Sequence, residues 1–300
     1  MPQQSRPLAA ALWMAGAITG FVSMAVAGRA VAPVHDTFEI MTWRSLVGIV
    51  LVLGVALPTG HGRDIRVRRI GLHFTRNLFH FTGQNLWFAA LTMIPLAQLF
   101  ALEFSYPILV ALAAPFLLSE VLTRQKLVSA LIGFGGVLIV AQPWASGGLG
   151  LGTALALMAA VGFAGSTLIT KKMTRVAPMT EILFWLVVFQ FCFGLILALA
   201  DGKMRWPTAA SLPWLVLIGI AGLGAHFCLT QALRLAPASV VAPIDFLRLP
   251  IIALVGAVFY GEPLSVALVL GGAVILLANW NNIRTENRGK RIATPQQDAT

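Results

Sequence analysis

Glu39-Ile40-Met41-Thr42-Trp43 returns 142 positions later as Glu181-Ile182-Leu183-Phe184-Trp185. The same offset lays Gly20-Phe21 on Gly162-Phe163, Ala90-Leu91 on Ala232-Leu233 and Glu103 on Asp245, without a gap. It also lays Pro95, Phe104, Ala111, Leu112 and Glu120 on Pro237, Phe246, Ala253, Leu254 and Glu262. Chance matching among apolar residues explains the Ala and Leu coincidences, but not Glu, Trp and Pro recurring at a single offset. Self-similarity at a fixed period marks a duplicated structural unit.

The unit is built of long apolar runs. They fall at Leu8 to Gly28, Thr37 to Leu57, Ile70 to Ile94, Leu96 to Ser119 and Lys126 to Ala141 in the first copy. In the second they fall at Leu149 to Lys171, Pro178 to Ala200, Ser211 to Leu235, Ala238 to Gly261 and Leu264 to Ile283. About 20 apolar residues cross a hydrocarbon core of ~30 Å as a helix, whereas barrel strands would alternate over ~10 residues. Only 11% of the 300 residues are charged and 58% are hydrophobic; a soluble surface needs roughly 25% charged residues. The sequence therefore predicts an all-α integral membrane protein with ten transmembrane helices. Residues 8–141 form the first five-helix repeat, 150–283 the second, and 284–300 a cytoplasmic tail. An odd number of crossings per repeat turns the second copy upside down, so the repeats are inverted.

The net charge of +10 is a statement about direction. Arg and Lys are not gathered on one face with stacking aromatics, so a nucleic-acid surface is excluded. Fifteen of the 21 cations lie on segments sharing a side with the N-terminus, among them Arg63, Arg66, Arg68, Arg69, Lys171 and Lys172; Arg29, Lys203 and Arg205 lie opposite. The positive-inside rule then places both termini in the cytoplasm, in a bacterial-type inner membrane. The first run and Ala25-Val26-Ala27 resemble a signal peptide, but that run has a partner in the second copy, which argues for retention. Cys192 and Cys228 lie singly in apolar runs and read as small buried hydrophobes. Neither GxxxxGK[ST] nor GxGxxG occurs, so ATP-driven transport by this chain alone is not expected, and with no CxxC and no His at metal spacing no metal or other cofactor is expected.

A helix ending in Ala-Leu, a short Pro loop and a longer helix closing on Glu occur twice, as Ala90 through Pro95 to Glu120 and Ala232 through Pro237 to Glu262. This resembles the EamA domains of the drug/metabolite transporter superfamily, and Arg44 resembles the Arg common early in the second helix of that family's first half. The likeness covers Leu8 to Ile283, with a further likeness to the aromatic-amino-acid and paraquat exporter branch. It implies ten helices, both termini inside, and secondary export of small metabolites, amino acids and amphiphiles among them.

Polar side chains inside membrane helices need a partner or a wet cavity. Arg76, His80, Gln84 and Trp87 recur on one face of the third helix, flanked by Asn77 and Asn85. They read either as the wall of a substrate cavity, with Trp87 its aromatic side, or as a polar seam satisfied between helices. Gln84 maps onto His226, with Gln231 nearby, and these join the candidate substrate site. Glu103 and Tyr106 stand one turn apart, as do their equivalents Asp245 and Arg248. Glu103 can hold a substrate ammonium or exchange a proton; Arg76, Glu103, Asp245 and Arg248 can equally form a structural charge network.

Pro107, Pro243 and Pro250 each remove a backbone bond from a helix interior, as gating hinges or as static kinks. Glu120 and Glu262 read as helix-dipole partners and Trp43 and Trp185 as interfacial anchors. Gly16, Gly20, Gly133, Gly136, Gly271 and Gly272 read as close helix contacts. The expected function is alternating-access export of aromatic or hydrophobic amino acids through a central cavity, by a monomer or homodimer in the lipid bilayer, with a proton as a candidate coupling ion. A facilitator or channel is the alternative, and a membrane enzyme fits less well, because no catalytic constellation stands out.

Overall fold

Eleven α-helices are bounded among the residues that the computed structural model describes, 7–118, 124–142, 144, 149–173, 176–200, 202–235, 244–245 and 247–293. No strand occurs among them. The helices are α1 (Pro7–Val31), α2 (Thr37–Ala56), α3 (Ile70–Leu91), α4 (Leu96–Glu103), α5 (Tyr106–Leu118), α6 (Arg124–Ala141), α7 (Leu151–Met173), α8 (Met179–Leu199), α9 (Leu212–Leu235), α10 (Arg248–Tyr260) and α11 (Val266–Ala293). Six described stretches are long and apolar enough to cross a membrane, with shorter apolar helices besides. The 22 residues of α3 suffice in length, but its polar stripe lowers its hydropathy. Glu120, Pro237, Pro243 and Phe246 lie outside the described residues.

The packing pairs distant helices. α1 lies along α9, α3 along α7, α2 along α8, and α6 along α11. Close approach rests on missing side chains. A Cβ on Gly162 would stand 2.8 Å from Gly83 Cα and 2.9 Å from Phe79 O, and one on Gly136 would stand 2.8 Å from Gly271 O. Of the glycines expected at contacts, Gly272 is the loosest, its nearest neighbour being a Leu249 side-chain carbon at 3.3 Å.

The run Leu96 to Ser119 is not one helix. α4 stops at Glu103, Phe104 and Ser105 turn, and α5 begins at Tyr106. Pro107 has no N–H and its ring opposes the carbonyl four residues earlier. The chain resolves the conflict by restarting: Ile108 N donates to Ser105 O at 3.0 Å, and Ser105 Oγ to Leu102 O at 2.6 Å. The carbonyl of Phe104, left over by the restart, accepts from Asn279 Nδ2 of α11 at 2.7 Å. The second copy behaves alike, since Ile244 and Asp245 are helical, Leu247 turns, and α10 starts at Arg248. Pro107 and Pro250 thus correct the expectation of interior kinks, because each sits in the first turn of a new helix, where a missing N–H costs little.

Cysteine placement also departs from expectation. Both cysteines are free, but Cys192 is exposed on the outside of α8 and Cys228 is half-buried, because hydrocarbon takes the place of a protein interior for outward-facing apolar residues.

Candidate functional site

The stripe on α3 is buried, as its burial cost demands, and it divides into three pieces of different use. At its start Arg76 Nε donates to Thr170 Oγ1 at 3.0 Å and Nη1 to Asn77 Oδ1 at 2.8 Å, while Asn77 Nδ2 donates to Trp185 O at 3.1 Å. This piece is the satisfied seam between α3, α7 and α8. It holds the three helices together.

The middle piece faces the second copy. His80 lies 6.1 Å from His226 of α9, ring centre to ring centre, and 5.8 Å from Phe163; His226 in turn lies 5.2 Å from Phe21. The Nε2 of His80 has no hydrogen-bond partner among the described residues. Gln84 Oε1, one turn along, accepts from Arg44 Nη1 of α2. Arg44 can reach across because Gly222 leaves room: a Cβ there would stand 3.2 Å from Arg44 Nη2. Rings with polar edges, a guanidinium and an amide therefore meet where α2, α3 and α9 converge. Gln231 is half-buried further along α9, and Asn85 turns back on its own helix, donating to Phe81 O at 2.8 Å.

The third piece joins the helix breaks. Trp87, read from the sequence as a cavity wall, is tied into this piece: its Nε1 donates to Glu103 Oε2 at 2.8 Å, and its ring packs on Phe88 and Phe100. An indole N–H in an apolar interior needs an acceptor, and the carboxylate supplies one. Glu103 Oε1 lies 3.3 Å from Arg248 Nη2, closer than Asp245 Oδ2 at 3.7 Å. The cation missing from the helix of Glu103 thus arrives from α10. Its guanidinium sits over Phe21, Phe104 and Phe100 at 4.6, 4.7 and 5.3 Å, where ring faces favour a cation. Tyr106 is half-buried at the start of α5. Charges at broken helices let backbone ends and side chains be rearranged together, an arrangement common at transporter binding sites.

Two contacts were not foreseen. Glu262 neutralises a helix dipole, but not that of its own α11: its Oε2 accepts from Leu96 N at 2.7 Å, at the start of α4, while Oε1 pairs with Arg29. Arg29 also donates to Leu91 O and Ile94 O, each at 2.7 Å, and lies over Tyr260 at 4.9 Å. This cluster ties the end of α1 and the α3–α4 turn to the segment after α10. Elsewhere, Trp43 Nε1 donates to Arg205 O at 3.4 Å and Trp185 Nε1 to Arg66 O at 2.9 Å. Each tryptophan thus pins a loop. The repeat paired Phe21 with Phe163 and the family resemblance singled out Arg44, but neither signal placed them beside the two histidines; nothing in the sequence distinguished Asn279.

The EamA-like transporter family matches residues 8–142 and again 150–280. A riboflavin transporter of Rhizobium johnstonii is 35% identical over 219 residues, which cover 73% of this chain and 72% of the relative. An S-adenosylmethionine uptake transporter of Rickettsia bellii is 26% identical over 243 residues, covering 80% of this chain and 81% of that one. A solved structure titled "Crystal structure of protein" superposes with a TM-score of 0.64 at 20% identity, over 94% of this chain and 98% of that one.

Proposed function

The chain belongs to the EamA-like transporter family, and on that premise we propose that it moves a small flat nitrogen heterocycle, riboflavin first among candidates, between two inverted five-helix repeats. The repeats are 8–141 and 150–283. Helix pairing supports them, because the 142-residue shift exchanges the α1–α9 pair with the α7–α3 pair and maps α2–α8 and α6–α11 onto themselves. Such a pair of opposed halves supplies two equivalent gates around one site, as alternating access requires. The excess of Arg and Lys beside the N-terminus supports cytoplasmic termini in a bacterial inner membrane.

The observation that carries the substrate class is His80 facing His226 between Phe163 and Phe21, with His80 Nε2 free of any partner. A planar heterocycle presents ring faces to such rings and polar edges to His80, Gln84 and Arg44. Aromatic amino acids, the substrate expected from the sequence, lose priority because the relatives' names point to riboflavin and S-adenosylmethionine. The direction of movement follows the imposed gradient, with or without a coupled proton.

Counterflow in proteoliposomes tests the proposal with labelled riboflavin, S-adenosylmethionine and tryptophan. Saturable riboflavin exchange, weakened in His80→Ala and Gln84→Ala, is expected. Exchange of tryptophan alone would restore the amino-acid reading, and flux without saturation would make the protein a channel.

A further inference from the structure

We propose that the cavity where α3 and α8 begin binds a phosphate-bearing anion, and that its occupant is the headgroup of an anionic phospholipid. The cavity measures about 260 Å³ and is lined by Asp64, Arg66, Arg68, Arg69, His73 and Glu181, among others. That is smaller than the ~300 Å³ at which pockets for drug-sized ligands begin, and suits a compact polar group. All three arginines are exposed, and among the described residues no ion pair or hydrogen bond engages their guanidinium groups. Two carboxylates oppose them, and Glu181 is already held by His73 Nε2 at 3.1 Å. The other ring nitrogen of His73, Nδ1, has no partner although the residue is 1% exposed. An anion beside Nδ1 would favour the doubly protonated ring, which then donates to Glu181 on one side and to the anion on the other.

Comparison of the two copies shows what the cavity lacks. On the opposite face Asp36 caps α2, accepting from Phe38 N at 2.8 Å and Glu39 N at 2.9 Å in a reciprocal capping box with Glu39. The 142-residue shift carries Asp36 to Pro178 and Glu39 to Glu181. Pro178 starts α8 without any side-chain cap, and Arg69 starts α3 equally uncapped, in a left-handed conformation with φ 52°. Where α2 carries its own capping anion, the start of α8 carries none and stands beside the arginines of the α2–α3 loop. Helix N-termini and guanidinium groups together select phosphate oxygens. A lipid is favoured over free phosphate because a second groove of about 340 Å³ shares Leu72 with the cavity and is lined by Leu117, Leu168 and Ile169. An acyl chain fits there while the headgroup occupies the basic pocket.

Native mass spectrometry of the full chain tests this with dioleoyl phosphatidylglycerol, dioleoyl phosphatidylcholine and inorganic phosphate as separate probes. The wild type should retain phosphatidylglycerol about tenfold more strongly than phosphatidylcholine. Neutralising Arg66, Arg68 and Arg69 together to Gln should abolish that preference, whereas Arg63→Gln, outside the cavity, should keep it. Pro178→Asp guards against a folding defect: it copies the cap of α2, so it should preserve or raise thermal stability while expelling the lipid. Equal phosphatidylglycerol retention in the triple variant and in Pro178→Asp would overturn the site. Binding of inorganic phosphate with no preference between the two lipids would overturn the lipid as occupant.

Discussion

Replacing Arg29 by alanine cuts three connections at once: the ion pair with Glu262 and the hydrogen bonds to the carbonyls of Leu91 and Ile94. Losing one partner of a buried pair costs about 3–5 kcal/mol. The side chains of Arg29 and Glu262 retain 14% and 12% exposure, so the lower bound applies, about 3 kcal/mol. Because α1 and the α3–α4 turn are tied here to the segment after α10, that energy favours the arrangement in which the three stay together. At about 1.4 kcal/mol per tenfold, its loss shifts a two-state equilibrium toward separation by roughly 100-fold. Ala97, 3% exposed in the first turn of α4, is the reporter. In a Cys192→Ser, Cys228→Ala background, an impermeant maleimide should modify Ala97→Cys about 100-fold faster once Arg29→Ala is added. Glu262→Gln should give a smaller rise, since its amide oxygen still accepts from Leu96 N. Labelling rates within a factor of two across all three proteins would refute the tie.

Three further outcomes follow from particular contacts. Asn279→Leu strands the Phe104 carbonyl in a broken helix and should destabilise by about 1–2 kcal/mol, read as a lower melting temperature in detergent. Gly162→Ala puts a methyl within 2.8 Å of the Gly83 backbone; neither backbone can yield, so it should cost about 2 kcal/mol in the same assay, while Gly54→Ala, with nothing within 4 Å, should be neutral or stabilising. Glu103→Gln leaves Arg248 with Asp245 alone at 3.7 Å; counterflow should fall about tenfold or more, and an unchanged rate would assign the charges at the breaks to architecture.

The fold was legible wherever it expresses itself as periodicity. Run length anticipated the six long apolar helices, the offset of 142 agrees with the family matching twice along the chain, and steps of three and four gave the buried face of α3. Sequence reasoning failed where identity depends on which helix lies opposite. The acceptor of Trp87, Glu103, lies on another helix, and within the expected charge network the cation that meets Glu103 is Arg248, reaching it from α10. The break after Glu103 was hidden for a different reason: hydropathy is blind to backbone direction, and a proline in an apolar run signals a kink and a restart equally. Glu262 was placed correctly as a helix-dipole partner but assigned to the wrong helix, since the amide that donates to it belongs to α4, 166 positions away in sequence.

The bond from Asn279 to the Phe104 carbonyl also orders events during synthesis. A chain inserted from its N-terminus places α4 and α5 in the bilayer long before α11 exists, so this carbonyl waits without its partner while Glu103 waits for Arg248. Inside lipid such groups are costly, and the nascent first half must stay near water or the insertion machinery until the last helix arrives. The final helix is therefore a closing stitch for the first half, and a truncation before it should leave a protein that inserts but does not mature.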